Sequence, residues 1–204
     1  MITLNNFLDQ FSVYFNGNEN TPPWTITRNI STIIQEQIKN LDRTEYTISD
    51  GIAIHKTAVI ENGVTLKSPI IIHENCFIGA HAYLRGGVFL GPETSIGPSS
   101  EIKSSIILNN SSVAHFNFIG DSIIGSNVNF EAGSITANHL NEMVDKQISV
   151  LYNSQIINTQ TDKFGSLVGD NSKIGANAVL SPGTILGKYS VVKRLELVEQ
   201  IIEI

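Results

Sequence analysis

Aliphatic residues recur at intervals of six: Ile54, Ile60, Leu66, Ile72, Ile78, Leu84, Leu90, Ile96, Ile102 and Leu108. The beat then slips by one residue twice and continues through Val113, Ile119, Ile124, Phe130 and Ile135. It resumes at Val168, Ile174, Leu180, Leu186 and Val192. An α-helix repeats every 3.6 residues and a strand every 2, so neither sustains a period of six over this length. A hexapeptide β-helix does, because three short strands make one triangular turn of about 18 residues, with turns stacked about 4.8 Å apart. The expected fold is all-β: a left-handed parallel β-helix, a hexapeptide-repeat solenoid with a small helical N-terminal cap and a projecting loop. The left hand is that of known hexad repeats, an exception to the usual right-handed crossover.

Positions beside the beat carry their own expectations. The residue two places before it is usually small or β-branched (Ala58, Val64, Cys76, Ala82, Val88, Thr94, Ser100, Ser112). The residue after it is often glycine (Gly79, Gly91, Gly97, Gly120, Gly125), as a corner with unusual dihedral angles would require. Residues 1–50 lack the beat and form the expected cap. Pro22-Pro23-Trp24 reads as a turn, and Asn29-Ile30-Ser31 as the cap of a helix through Ile33, Ile34 and Ile38. Its simplest role is to cover the first coil, whose open end would expose apolar core and unpaired strand edge. The β-helix then spans 51–194. Within it, 137–162 breaks the pattern with a polar segment too long for a corner, expected to be a loop or hairpin and a candidate for function. The tail, 195–204, alternates apolar and acidic residues.

Composition narrows the possibilities. Of 204 residues, 41% are hydrophobic, enough for a long core, and only 16% are charged, which suits flat faces covered by loops or neighbouring chains. A net charge of −6 argues against a nucleic-acid partner. The single cysteine, Cys76, rules out an internal disulfide and reads as a packed thiol in a reducing compartment. Without an 18-residue apolar run or a leader pattern, the expectation is a cytoplasmic chain with no membrane partner.

A period of 18 stacks side chains along an edge, and Lys67, Arg85 and Lys103 stand 18 apart. Like charges about 5 Å apart repel unless an anion lies between them, so this ladder is a candidate phosphate site; a solvated corner with splayed side chains is the alternative. His55 and His73 are also 18 apart and read as a stacked pair at a solvated corner rather than a metal site. His115, between aromatics in Ala114-His115-Phe116-Asn117-Phe118, is either a general base or a structural histidine.

At these residues the chain resembles a known family. The segments Glu101-Ile102-Lys103, His115-Phe116-Asn117-Phe118-Ile119-Gly120-Asp121 and Asn127 through Asn138 are similar to the acetyltransferase domain of bifunctional UDP-N-acetylglucosamine pyrophosphorylase/glucosamine-1-phosphate N-acetyltransferase. They are closer still to the C-terminal domain of archaeal sugar-1-phosphate nucleotidylyltransferases. The similarity covers roughly 54–192. It implies an acetyl-CoA-dependent acyltransferase with His115 as the base that deprotonates the sugar amine. Arg85 and Lys103 would hold the phosphate, with Asn129 and Phe118 on the sugar and Glu101 orienting its neighbours. Ala132, Asn138, His139, Lys163 and Ala176 would line the acetyl-CoA site. The family is homotrimeric with sites between subunits, and no metal is expected. Phe118 replaces a tyrosine, and Glu131 replaces a glycine where a carboxylate would crowd or repel the coenzyme phosphates.

Two other readings stand beside this one: an acyltransferase on another amino sugar, and a non-catalytic sugar-phosphate or nucleotide-sugar binding or assembly module. A zinc carbonic anhydrase on the same coil needs three converging histidines. His55, His73 and His81 precede the first slip, and His115 follows it without a companion five residues on.

Overall fold

A computed structural model describes residues 2–201. Three stacks of parallel strands form the faces of a solenoid, and the residues on the beat point into one continuous core. The first face contains Ile52–His55, Ile70–Ile72, the end of Tyr83–Leu90, the end of Glu101–Ile107, Ile123–Ile124, Ser166–Val168 and Thr184–Leu186. The second is the seven-stranded stack from Val59–Ile60 to Val191–Val192. The third runs from Thr65–Leu66 through the beginnings of Tyr83–Leu90 and Glu101–Ile107 to Phe118–Gly120, Ile135–Thr136, Val179–Leu180 and Leu197–Val198. Strand pairing therefore continues into the segment expected to be a tail; residues 202–204 of that tail lie outside the described residues.

The register shows where the beat slips. Leu84 pairs with Ile102, but Leu90 pairs with Ile107, because the corner after Arg85 holds Gly86 and Gly87 whereas the corner after Lys103 holds Ser104 alone. Ile107, not Leu108, is thus the inward residue, and Leu108 is buried on the outer side. The same shift seats Ser111 inside and leaves Ser112 exposed. Thr136, not Ile135, points inward, so Ile135 lies on the surface. A one-residue change moves a side chain to the opposite face of a strand.

The glycines after the beat are not in the left-handed region. They allow close approach between coils instead: a Cβ on Gly79 would lie 2.7 Å from Pro98 N, and one on Gly97 would overlap Ala114 O. The left-handed positions fall farther round the corner, at His81, Ser99, Phe116, Gly133, Asn177 and Leu195 on the edge between the second and third faces.

The N-terminal segment does not sit on the open end of the coil. Its helix, Pro23–Lys39, begins with Pro23 in the first turn, where a missing N–H costs nothing. Asn29 and Ser31 therefore lie mid-helix rather than capping it, and Ser31 Oγ donates to Gly86 O at 3.0 Å. Ile26, Ile30, Ile34 and Ile38 form its buried stripe. They share a second core with Ile71, Phe89, Ile106, Ile123, Leu167 and Ile185, the outward residues of the first face. The cap thus lies along the side of the solenoid over several coils, because that face is apolar on both sides. The end of the first coil is closed instead by Tyr46–Ser49, antiparallel to Ile52–His55. Asp170 fastens the cap, accepting from Asp9 N and Ser126 N, both at 2.7 Å.

The insertion is a hairpin of Ser149–Tyr152 and Gln155–Asn158. Ile148 and Val150 are buried in the outer core, and Tyr152 packs near Phe7. His55 and His73 both contact the Tyr46 ring, and His73 Nδ1 lies 2.7 Å from Tyr46 Oη. His73 is therefore mostly buried rather than solvated, and burial depresses its pKa although Glu74 opposes this. Cys76 is buried, and burial pushes its thiol up to about 12, as expected of a packed side chain.

Candidate active site

The outer side of the third face carries most of the chemistry-bearing residues. Its strands are short because the coil turns every six residues, so the face is three residues or about 10 Å wide. His115 lies on the corner that leads into it, exposed and edge-on to Phe116 at 5.6 Å. Phe116 occupies the left-handed position of this corner, with φ 60° and 68% exposure. Asn117 is buried behind the corner and pins it: Nδ2 donates to His115 O at 3.2 Å, and Oδ1 accepts from Ser134 N at 2.8 Å. No side chain hydrogen-bonds the His115 ring among the described residues.

Ala132 and Ala176 lie on the same corner in the next two coils, where Asn177 N donates to Ala132 O. Glu131 stands beside them but is not free. Arg194 binds both its oxygens at 2.8 Å, and Ala176 N donates to Oε2 at 2.9 Å. Arg194 and the Ala176 N–H together hold the Glu131 carboxyl below its ordinary pKa. The carboxylate expected to repel a coenzyme phosphate is thus paired with a cation from two coils away.

Across the face, Tyr83, Glu101, Phe118 and Ile135 stack in neighbouring strands. The Phe118 ring lies over Gly120, where a Cβ would stand 2.6 Å from it. The cationic ladder occupies the far edge, and two of its three charges are compensated within the chain. Arg85 Nε donates to Glu101 Oε1 at 2.7 Å, and Lys103 Nζ donates to Asp121 Oδ2 at 2.5 Å. Lys67 is exposed and sits 5.5 Å from the Tyr83 ring centre. The repulsion expected along the ladder is relieved at Arg85 and Lys103 by Glu101 and Asp121 of the chain itself.

Asn138 reaches the same edge and donates from Nδ2 to Asp121 Oδ2. Lys163 precedes Phe164, whose N–H donates to Asn138 O. His139 Nδ1 lies 3.3 Å from Asp162 O, and Lys146 Nζ lies 3.4 Å from His139 Nε2. Asn129 stands apart, exposed on the second face and paired in register with Ser112 and Lys173.

One chain therefore assembles two groups on opposite edges of one face. His115, Ala132 and Ala176 lie on one edge; Arg85, Lys103, Asn138, His139 and Lys163 lie on the other. Phe118 and Glu101 lie between them. Asn117, Asp121 and Arg194 were not singled out by the sequence reasoning. The first two fall within the His115-to-Asp121 segment, but nothing in its spacing says what they bind. Among the described residues there is no cluster of potential metal ligands and no helix long and apolar enough to cross a membrane. A cavity of about 240 Å³ opens between the hairpin base and the last coils, lined by Leu140, Met143, Ser149, Gly183 and Gln200. None of the predicted site residues lines it.

The solenoid and its six-residue beat define a hexapeptide-repeat parallel β-helix. Residues 167–193 match the hexapeptide repeat of succinyl-transferase, and residues 66–161 match the GMPPB C-terminal domain. The chain is 36% identical to the bifunctional protein GlmU of Methanococcus vannielii over 71% of this chain and 38% of that protein. It is 32% identical to a bifunctional sugar-1-phosphate nucleotidylyltransferase/acetyltransferase of Sulfurisphaera tokodaii over 70% of this chain and 37% of that one. The GlmU protein of Methanocaldococcus jannaschii is 33% identical, over 71% and 39%. The chain thus spans less than two fifths of the length of these relatives. Among solved structures, an N-acyltransferase from Bacillus cereus has a TM-score of 0.37 at 15% identity, covering 78% of this chain and 82% of that one.

Proposed function

We propose that this chain is an acetyl-CoA-dependent N-acetyltransferase acting on an amino-sugar phosphate such as glucosamine-1-phosphate. The observation that carries the reading is the third face: an exposed histidine on the corner that leads into it and an acid-paired Arg/Lys ladder at its far edge. The similarity to bifunctional nucleotidylyltransferase/acetyltransferases supports it.

In this reading the His115 imidazole accepts a proton from the sugar amine as the nitrogen lone pair attacks the thioester carbon. The carbonyl π electrons move to oxygen, and backbone N–H groups at the corner stabilise the resulting oxyanion. Collapse re-forms the carbonyl and expels the coenzyme thiolate, which takes up a proton. Arg85 gives the phosphate a forked donor and Lys103 a point charge. Phe118 and Asn129 contact the sugar, and Glu101 orients Arg85. Ala132, Ala176, Asn138, His139 and Lys163 line the path of acetyl-CoA, and pairing Glu131 with Arg194 removes its repulsion of the coenzyme phosphates. Side chains on opposite edges of one face, with Asn129 round the corner, fit sites completed between adjacent chains. The exposed apolar residues Phe116, Ile135, Leu195 and Leu197 support a homotrimer.

The internal neutralisation of Arg85 and Lys103 favours a second reading, a module that binds without turnover. Thiol release from acetyl-CoA with glucosamine-1-phosphate separates the two. Turnover by the wild type that collapses in His115→Ala supports the acetyltransferase. A coenzyme-induced thermal shift without thiol release from any amino-sugar phosphate supports the binding module.

A further inference from the structure

We infer that Asp121 is a positioning residue that links the phosphate clamp to the acyl-donor contact, so that the two substrates bind cooperatively. The inference rests on the acetyltransferase reading above. Asp121 sits at the corner after the third face in the left-handed region, with φ 46°. Its backbone is held on both sides: Asp121 N donates to Lys103 O at 2.8 Å, and Asp121 O accepts from Gly165 N at 2.9 Å. The side chain is 8% exposed, and Lys103 beside it is 20% exposed.

One oxygen does two jobs. Oδ2 accepts from Lys103 Nζ and from Asn138 Nδ2, side chains from the coils on either side of its own. Lys103 belongs to the proposed acceptor clamp and Asn138 to the proposed coenzyme site, so the two substrates meet protein groups that share one anchor. The neighbouring Arg85–Glu101 pair has no such bridge; Glu101 accepts from Arg85 alone among the described residues. A phosphate that draws Lys103 toward solvent changes the charge facing Oδ2 and thereby the hold on Asn138. A coenzyme contact that orders Asn138 fixes Oδ2 for Lys103. Such linkage is reciprocal: each ligand must change the affinity for the other by the same factor.

The test is calorimetric titration of glucosamine-1-phosphate with and without saturating coenzyme A, on wild type, Asp121→Asn and Glu101→Gln. Wild type is expected to show a coupling of about fivefold or more. Asp121→Asn, which keeps the shape but loses the charge that holds both donors, should still bind each ligand alone while the coupling falls to about one. Glu101→Gln should alter sugar-phosphate affinity and leave the coupling intact. Coupling retained in Asp121→Asn, or absent from wild type, overturns the inference. If Asp121→Asn melts too low to titrate, Asn138→Ala replaces it, because it removes one of the two shared donors. Coupling that survives in that variant is equally fatal. Failure of the acetyltransferase reading looks different: wild type releases no thiol whether or not it binds the ligands, whereas failure of the inference leaves turnover intact and removes only the coupling.

Discussion

The first and third faces are made from the same coils, and the strands Tyr83–Leu90 and Glu101–Ile107 pass directly from one to the other. Their inward residues on the beat are aliphatic apart from Thr136. They differ in the residue just before the beat. On the first face it is Ile71, Phe89, Ile106, Ile123, Leu167 or Ile185; on the third it is Thr65, Tyr83, Glu101, Phe118, Ile135 or Val179. The first set draws down a helix and a hairpin and forms a second core; the second stays outside both cores and mixes Thr65 and Glu101 with partly exposed aromatic and aliphatic side chains. A solenoid thus separates a second core from open surface by face rather than by coil, because alternate residues of a strand point to opposite sides.

The largest effect expected on the third face is that of His115→Ala. Loss of a general base lowers kcat/KM by about 100- to 10,000-fold, and because the side chain is exposed the melting temperature should hold. Unchanged thiol release would remove His115 from the mechanism. On the first face, Phe89→Ala should cost about 3–5 kcal/mol of stability by opening a cavity under the cap. Denaturant unfolding measures this, and a loss below about 1 kcal/mol would mean that the cap is not packed as described.

A smaller effect is expected at the edge of the third face. Arg194→Ala unpairs Glu131 and should raise the coenzyme KM several-fold, whereas Glu131→Gln in the same chain should restore it. Additive losses in that double variant would show that Arg194 acts by itself. The smallest expected effect is one of pH beside the first face. Burial depresses the folded pKa of His73 below its ordinary 6.5, so the unfolded chain binds the proton more readily. Stability from neutral His73 is therefore present above about pH 6.5 and lost as pH falls through the lower folded pKa. The melting temperature of wild type should drop more steeply below pH 6.5 than that of His73→Gln. Equal slopes would assign the acid sensitivity to other groups.

Legibility in the sequence followed the range of each interaction. The rungs, the small inward residues and the interruption at 137–162 were readable because strand alternation and a six-residue turn are local properties. The continuous apolar runs Ile70-Ile71-Ile72 and Val88-Phe89-Leu90 carry the signal of a face buried on both sides, a signal that the expected end cap left unused. The glycines misled, since close approach to the next coil and a left-handed dihedral look alike in one sequence. Leu108 and Ile135 misled for a related reason: a corner one residue shorter looks the same whether the slip falls before or after the next aliphatic.

By itself the sequence determined the hexad coil, the core residues up to the first slip in the beat, and the positions of His115, Arg85 and Lys103 in successive turns. All of these depend on spacing along one strand path. Only the tertiary structure decided that Glu101 and Asp121 neutralise the ladder, that Arg194 silences Glu131, and that the helix lies along a side rather than an end. These contacts join residues one or more coils apart, and their register depends on how many residues each corner holds.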